Sequence, residues 1–310
     1  MSNSPLTGTP PDRRARISAL AYDYASQPAQ AVEQCNLCGA VSFVVLTHSD
    51  RYGYPASAHA CQSCGLVFLN PRMTASAYGQ FYDGIYRPLV SAFHGRLIDA
   101  QTIQAEQRDY AADRAAFVRP FVTGSSYATL LDIGGSTGVV AHHFATEFGL
   151  AGTLIDPAPL EVEQARRLGL DTVTGLIEEH DFGDRRFDVV LICQTVDHLL
   201  DVAGTLRRVR ELLTPNGLLM IDIVDFRAAY LRNWSIEAAV KIDHPYYLTE
   251  STMTTYLAAA GFRVLRTDYA ADHLHVSYAC RPDAVQPVQP DQRAAAEMLR
   301  EVRFVQNAPR

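Results

Sequence analysis

No apolar run in this chain approaches the roughly 18 uncharged residues that a membrane-spanning helix needs. The opening segment MSNSPLTGTPPDRRARIS also lacks the apolar stretch of a secretory signal. Both absences point to a cytoplasmic protein with no membrane partner. Basic runs are missing too: the formal charge is −7, which speaks against a protein that gains affinity by releasing counterions from a nucleic-acid backbone. A small molecule is the better-suited partner. No internal repeat recurs, and in an intracellular chain of this size six cysteines read as metal ligands or buried thiols rather than disulfides.

What the sequence does contain falls into successive units. Residues 1–30, rich in Pro, Ser, Thr and Ala, read as disordered, with a short helix around Ile17 to Tyr24. Residues 31–72 hold short β-like runs, SFVVLT and GLVFLN, separated by turn residues, as a compact metal-stapled unit would. Between 73 and 120 the pattern is helical and bridges two domains, with Pro120 and the following TGSS closing the segment. From 121 to 281, buried-type strands (TLLDI, GTLI, DTVT, FDVVLIC, GLLMIDI) alternate with helical stretches and end in two further β-like runs. That alternation predicts an α/β, Rossmann-like, doubly wound and mostly parallel sheet, interrupted by an insertion at 226–248 that can cover a pocket. Residues 282–310 read as an extended linker and a terminal helix.

Four cysteines carry the strongest local signal. Cys35 and Cys38 stand in CNLCG, and Cys61 and Cys64 in CQSCG. Two such pairs, far enough apart for an intervening hairpin, converge on one tetrahedral ion, and zinc is the metal this thiolate set suits best. Iron is the competitor. Gly39 and Gly65 supply the tight turn each knuckle needs. Four thiolates leave no open coordination position, so the ribbon is structural.

The segment LLDIGGSTG at 130–138 is a buried strand ending in an acid and a glycine-rich turn that opens a helix. Such a turn brings backbone close to a cofactor and offers an anionic group the amides of a helix N-terminus. A dinucleotide fingerprint aligned on Gly135 and Gly138 would need glycine where Ile133 stands, so a nicotinamide-dependent dehydrogenase is excluded. The segment resembles motif I of the class I S-adenosylmethionine-dependent methyltransferases, departing from its commonest form at Ser136. The resemblance covers residues 128–280. It implies that S-adenosyl-L-methionine is held by Asp132, Gly134, Gly135, Ser136 and Gly138, and by Asp156, the ribose-binding acid at the end of GTLID. It further implies adenine contacts from Leu176 and Ile177, and a contact from Gln194 to the amino-acid part of the cofactor. The ribbon reading CGLVFLNPR, joined to this domain, is similar to a group of bacterial zinc-ribbon methyltransferases that includes nucleotide-sugar methyltransferases.

Methyl transfer from a sulfonium is an in-line displacement, so alignment, exclusion of water and removal of a proton are what the protein must supply. His198, in TVDHLLD, follows the fourth strand at the carboxyl end of the sheet, where ligands of such folds bind. It is either the general base or a loop residue that shapes the pocket, with Asp197 orienting it or starting the next helix. In related methyltransferases the HxYY segment lies close to substrate, which makes His244 and Tyr247 candidates, while plain packing is the alternative for Trp234 and for the tyrosines Tyr230, Tyr246 and Tyr247. Tyr82, Tyr86 and Arg87 form a weaker set, and Cys193 and Cys280 read as core thiols. The reading is a methyltransferase acting on a small polar acceptor, a sugar or another biosynthetic intermediate, with O-methylation favoured. The rival is a non-catalytic scaffold or regulator that binds the cofactor and docks partners through the ribbon. A nucleic-acid methyltransferase is disfavoured by charge and by the lack of an NPPY-type or catalytic-cysteine motif.

Overall fold

A computed structural model describes residues 12–308. The N-terminal part comprises α1 (Arg13–Ser18), β1 (Ala29–Gln30), β2 (Phe43–Thr47), β3 (Ala58–Cys61), β4 (Val67–Leu69) and β5 (Arg72–Met73). The expectation of disorder is corrected over residues 12–30. Ile17 and Tyr24 are buried, and β1 pairs with β5. These two residues supply the apolar anchors that the polar composition hides; the expectation for residues 1–11 lies outside the described residues.

Three helices follow: α2 (Ala75–Gly84), α3 (Tyr86–His94) and α4 (Ala100–Val122). Helix α4 does not stop at Pro120 but runs two residues past it. The proline cannot donate to the carbonyl four residues back, and the helix ends within two residues of it. Alternating elements then build the main layer: β6 (Thr129–Ile133), α5 (Val139–Phe148), β7 (Ala151–Asp156), α6 (Pro159–Arg167), β8 (Asp171–Thr174), β9 (Phe187–Ile192), α7 (Val202–Leu212) and β10 (Leu213–Val224). The chain continues through α8 (Phe226–Asn233), β11 (Tyr246–Tyr247), α9 (Glu250–Ala259), β12 (Phe262–Tyr269), β13 (His275–Pro282) and α10 (Gln292–Asn307).

The large sheet has seven strands in the order β12-β13-β10-β9-β6-β7-β8. All neighbours from β8 to β10 pair in parallel, whereas β13 runs antiparallel to both β10 and β12. The strand order reverses between β6 and β9, and a doubly wound sheet opens its ligand crevice at that switch, above the carboxyl ends of the strands. Buried strands such as Val189–Ile192 and Leu218–Ile223 fill the layer between helices on both faces.

The insertion at 226–248 is not a free flap. Tyr246 and Tyr247 pair with Phe68 and Val67, so β11 becomes an edge of the ribbon's own four-stranded sheet, β11-β4-β3-β2. The ribbon in turn has no separate core. Cys35, Leu37, Cys61, Leu66 and Phe68 share one apolar cluster with Ile133 and Ile192 of the main sheet and with Val196 in the turn after β9, while Val67 and Leu69 join the cluster around α2 and the insertion. Among the described residues, no helix is long and apolar enough to cross a membrane.

Candidate active site

The four ribbon cysteines are free thiols whose sulfurs converge. Cys35 Sγ lies 3.5 Å from Cys64 Sγ, and Cys38 Sγ lies 3.6 Å from Cys61 Sγ. Tetrahedral zinc with bonds of about 2.3 Å sets sulfurs about 3.8 Å apart, so the set fits that ion. Both knuckles close alike, with Gly39 N–H donating to Cys35 O at 2.8 Å and Gly65 N–H to Cys61 O at 2.9 Å.

A cavity of about 670 Å³ opens at the switch point between β6 and β9, within the range of cofactor and ligand pockets. Its floor is the turn after β6. Gly135 is required there because a Cβ would lie 2.4 Å from Asp132 Oδ2. Asp132 is fully buried, and neither carboxylate oxygen has a hydrogen-bond partner. Burial, then the nearby Asp156 and Asp222, push its acid up to about 7. An orphaned buried carboxylate beside a cavity suits a cationic ligand group. Ser136, with φ of 52°, takes the left-handed conformation that glycine would adopt freely. Its N–H donates to Asp156 Oδ2 at 2.9 Å and its hydroxyl donates to Glu161, which offsets the strain.

Asp156 ends β7, accepts from Ala158 N–H at 2.8 Å, and is held up to about 6, chiefly by burial. Of the other residues assigned to the cofactor, Gly134, Leu176, Ile177 and Gln194 line the cavity, but Gly138 does not. Gly138 begins α5 and packs against Ala165 and Leu170 instead. Gln194 adopts φ of 52°, and Asp222 Oδ1 accepts its N–H at 2.6 Å. Asp222 is itself tied to α4 by Arg114 Nε at 2.9 Å and by the Tyr110 hydroxyl. Cys193 lines the cavity and also packs against the core beneath it. Arg87 of α3 spans the opening to Glu161 at 2.5 Å.

His198 lies on the cavity wall with Tyr78, Tyr82 and Tyr86. Tyr82 donates its hydroxyl proton to the Asp243 carbonyl at 3.1 Å and lies 2.7 Å from His198 Nδ1. In the tautomer that gives that proton to the carbonyl, the hydroxyl accepts from Nδ1–H and Nε2 of His198 keeps its lone pair. Burial, then the adjacent His244, hold His198 down to about 4, so the ring is neutral at physiological pH. The rings of His198 and His244 meet edge to face, centroids 4.4 Å apart.

His244 stands behind His198 and outside the cavity lining. Its Nδ1 lies 2.7 Å from Asp197 Oδ2, and its Nε2 lies 3.1 Å from Nζ of Lys241, the chain's single lysine. Burial opposes ionisation of Asp197, yet His244 beside it keeps that carboxyl below its ordinary range. Asp197, His198 and His244 offer ligand atoms within 4.8 Å of one another. Hydrogen bonds already engage Nδ1 of both rings, and Lys241 Nζ abuts His244 Nε2, which favours a proton network over a metal ion. Tyr247 is corrected from a substrate contact to a packing residue. It is buried away from the cavity, its hydroxyl accepting from Lys241 N–H at 3.0 Å and donating to Lys241 O at 2.7 Å. Lys241, Asp243, Asp222 and Arg114 were not found by sequence reasoning. An acid inside the apolar strand GLLMIDI and a solitary lysine were the available signals.

The sheet order, the glycine turn after its first parallel strand and the acid ending its second define a class I methyltransferase fold. Residues 103–267 match the model of the methyltransferase-domain family, and the chain belongs to that family. It is 28% identical over 151 residues to a ubiquinone biosynthesis O-methyltransferase of Azorhizobium caulinodans, covering 44% of this chain and 58% of that one. Over 96 residues it is 38% identical to the protein of the same name from Methylocella silvestris, covering 29% of this chain and 37% of the relative. The chain thus spans about half the length of the curated relatives it matches. Among solved structures, a chain of the complex between the Haloferax volcanii Trm112 methyltransferase activator and the putative methyltransferase superposes with a TM-score of 0.50 at 16% identity. That match covers 60% of this chain and 95% of the other, and speaks to fold.

Proposed function

We propose that the chain binds S-adenosyl-L-methionine in the 670 Å³ cavity and transfers its methyl group to an oxygen of a small polar acceptor. The observation that carries this reading is the orphaned Asp132 carboxylate and the His198 ring on the walls of one cavity. When bound, the cofactor supplies an electrophilic methyl on a sulfonium. Asp132 would hold the cofactor's ammonium and Asp156 its ribose hydroxyls, with Leu176 and Ile177 against the adenine. His198 Nε2 takes the acceptor's hydroxyl proton. Tyr82 keeps that nitrogen free by occupying Nδ1. Tyr86 and Leu199 exclude water around it. Zinc at Cys35, Cys38, Cys61 and Cys64 is structural in this reading.

The relatives' names support oxygen as the methylated atom. The test is incubation of the purified protein with isotopically labelled cofactor and cell extract, followed by mass spectrometry. A labelled methyl ether together with demethylated cofactor is the expected result. Cofactor binding without any labelled product across extracts would refute the enzymatic reading in favour of a scaffold.

A further inference from the structure

We propose that the metal-binding knuckle positions the loop that carries His198, with Asn36 as the positioning residue. Asn36 lies between Cys35 and Cys38 in sequence but spends its side chain on the catalytic layer. Its Nδ2 donates to Asp201 Oδ1 at 2.8 Å, and its Oδ1 accepts from Ala203 N–H at 3.0 Å and from the Tyr256 hydroxyl at 2.9 Å. Asp201 is the N-cap of α7 and accepts from Gly204 N–H at 2.8 Å. One amide therefore ties the start of α7, three residues after His198, to the backbone turn that two thiolates would fix.

A second tie runs parallel. The Leu200 carbonyl accepts from Arg72 of β5, just beyond the ribbon sheet, at 2.8 Å and from the hydroxyl of Tyr246 on its edge strand β11 at 3.1 Å. The far side of the site is held from the same unit. Asp50, in the β2–β3 loop, accepts from Ile242 N–H at 3.0 Å, and Arg51 N–H donates to the Val240 carbonyl at 2.9 Å. The ribbon thus grips both segments that bring His198 and His244 together, whereas the turn at Gly134 and Gly135 receives none of these bonds. Docking a partner through the knuckle would compete with these contacts.

The inference uses the zinc reading of the four cysteines; its consequence for turnover, but not its test, rests on His198 acting as the base. In Asn36→Ala, full-length and zinc-loaded, amide exchange at His198 and Gly204 should quicken at least tenfold while that at Gly134 stays within twofold. Zinc content and cofactor affinity should also stay within twofold of the parent. The ¹⁵N spectrum of the His198 ring should change from one tautomer to an exchange-averaged signal, which a loss of mere packing elsewhere would not produce. Unchanged exchange and an unchanged ring spectrum would overturn the proposal. Loss of zinc from the variant would also overturn it, because Asn36 would then serve the knuckle. If the variant does not fold, chelator removal of zinc from the parent decides. Exchange at His198 and Gly204 rising ahead of Gly134 supports the proposal, and a uniform rise or none refutes it.

Discussion

Raising the pH should tighten S-adenosylmethionine binding, because the two acids assigned to the cofactor are both raised above the ordinary 3.8, Asp132 to about 7 and Asp156 to about 6. Each contributes stability to the empty protein that is present at low pH and lost as pH climbs through its folded value. Binding an ammonium at Asp132 and hydroxyls at Asp156 relieves that penalty, and only the ionised acids do this well. If the cofactor selects the doubly ionised form, that form grows from about 1% at pH 5.5 to about 70% at pH 7.5. Affinity should then rise about 100-fold, or about 2.7 kcal/mol. Isothermal calorimetry across this range, repeated in buffers of different ionisation enthalpy, reads both the affinity and the protons released. In Asp132→Asn only Asp156 remains to ionise, so binding should be weaker overall and vary about 4-fold over the same range. A parent affinity that stays flat within twofold, or an Asp132→Asn variant with the parent's full pH dependence, would remove Asp132 from the site.

Asp156→Ala should weaken cofactor binding by about 2 kcal/mol, since buried hydroxyls lose a charged acceptor; calorimetry checks this, and NAD should not bind to the parent. Elemental analysis of freshly purified protein should find one zinc per chain and none in Cys61→Ser, and reduced protein without metal would contradict the ribbon assignment. His198→Ala should lower the single-turnover rate roughly 100-fold at saturating acceptor with cofactor affinity unchanged. Because His244 stands behind His198 rather than on the cavity wall, His244→Ala should slow the same step by a smaller factor and leave the acceptor's Michaelis constant near the parent's. A raised Michaelis constant with a normal rate would restore it as a substrate contact.

Much of this architecture is legible in the sequence because it is local. The strand-by-strand alternation, the LLDIGGSTG turn and the doubled cysteine spacing each fit within a short window, and the sheet and the converging thiols follow from them. What was not legible is non-local. The insertion reads as a flap from its aromatic content, but β11 needs the open edge of β4 as a partner, 178 residues earlier at the Phe68–Tyr246 pair. Residues 12–30 read as disordered because their few apolar side chains are scattered, and only the pockets that Ile17 and Tyr24 fill reveal them as anchors. Tyr247 shares a motif with His244, yet strand pleating sends neighbouring side chains to opposite faces. Tyr246 thus reaches the Leu200 carbonyl and Tyr247 reaches the Lys241 backbone.

On the proposed reading, with His198 as the base, a neutral imidazole held near 4 looks weak for a hydroxyl, but the proton it would take is not that of a free hydroxyl. As the oxygen–carbon bond forms and the carbon–sulfur bond breaks, the positive charge leaving sulfur gathers on the acceptor oxygen, and its proton becomes strongly acidic. A base below neutrality then suffices, provided it is uncharged, correctly placed and dry. The surroundings of His198 supply the first two. Burial and His244 keep the ring neutral, Tyr82 sits against Nδ1 and would free Nε2 when it donates to the Asp243 carbonyl, and Asn36 and Arg72 anchor the segment that follows it. A stronger base would carry its own proton at neutral pH and repel the cofactor's cationic sulfur. The low proton affinity of His198 is therefore consistent with a rate that comes mainly from alignment and exclusion of water, with proton removal following the forming bond.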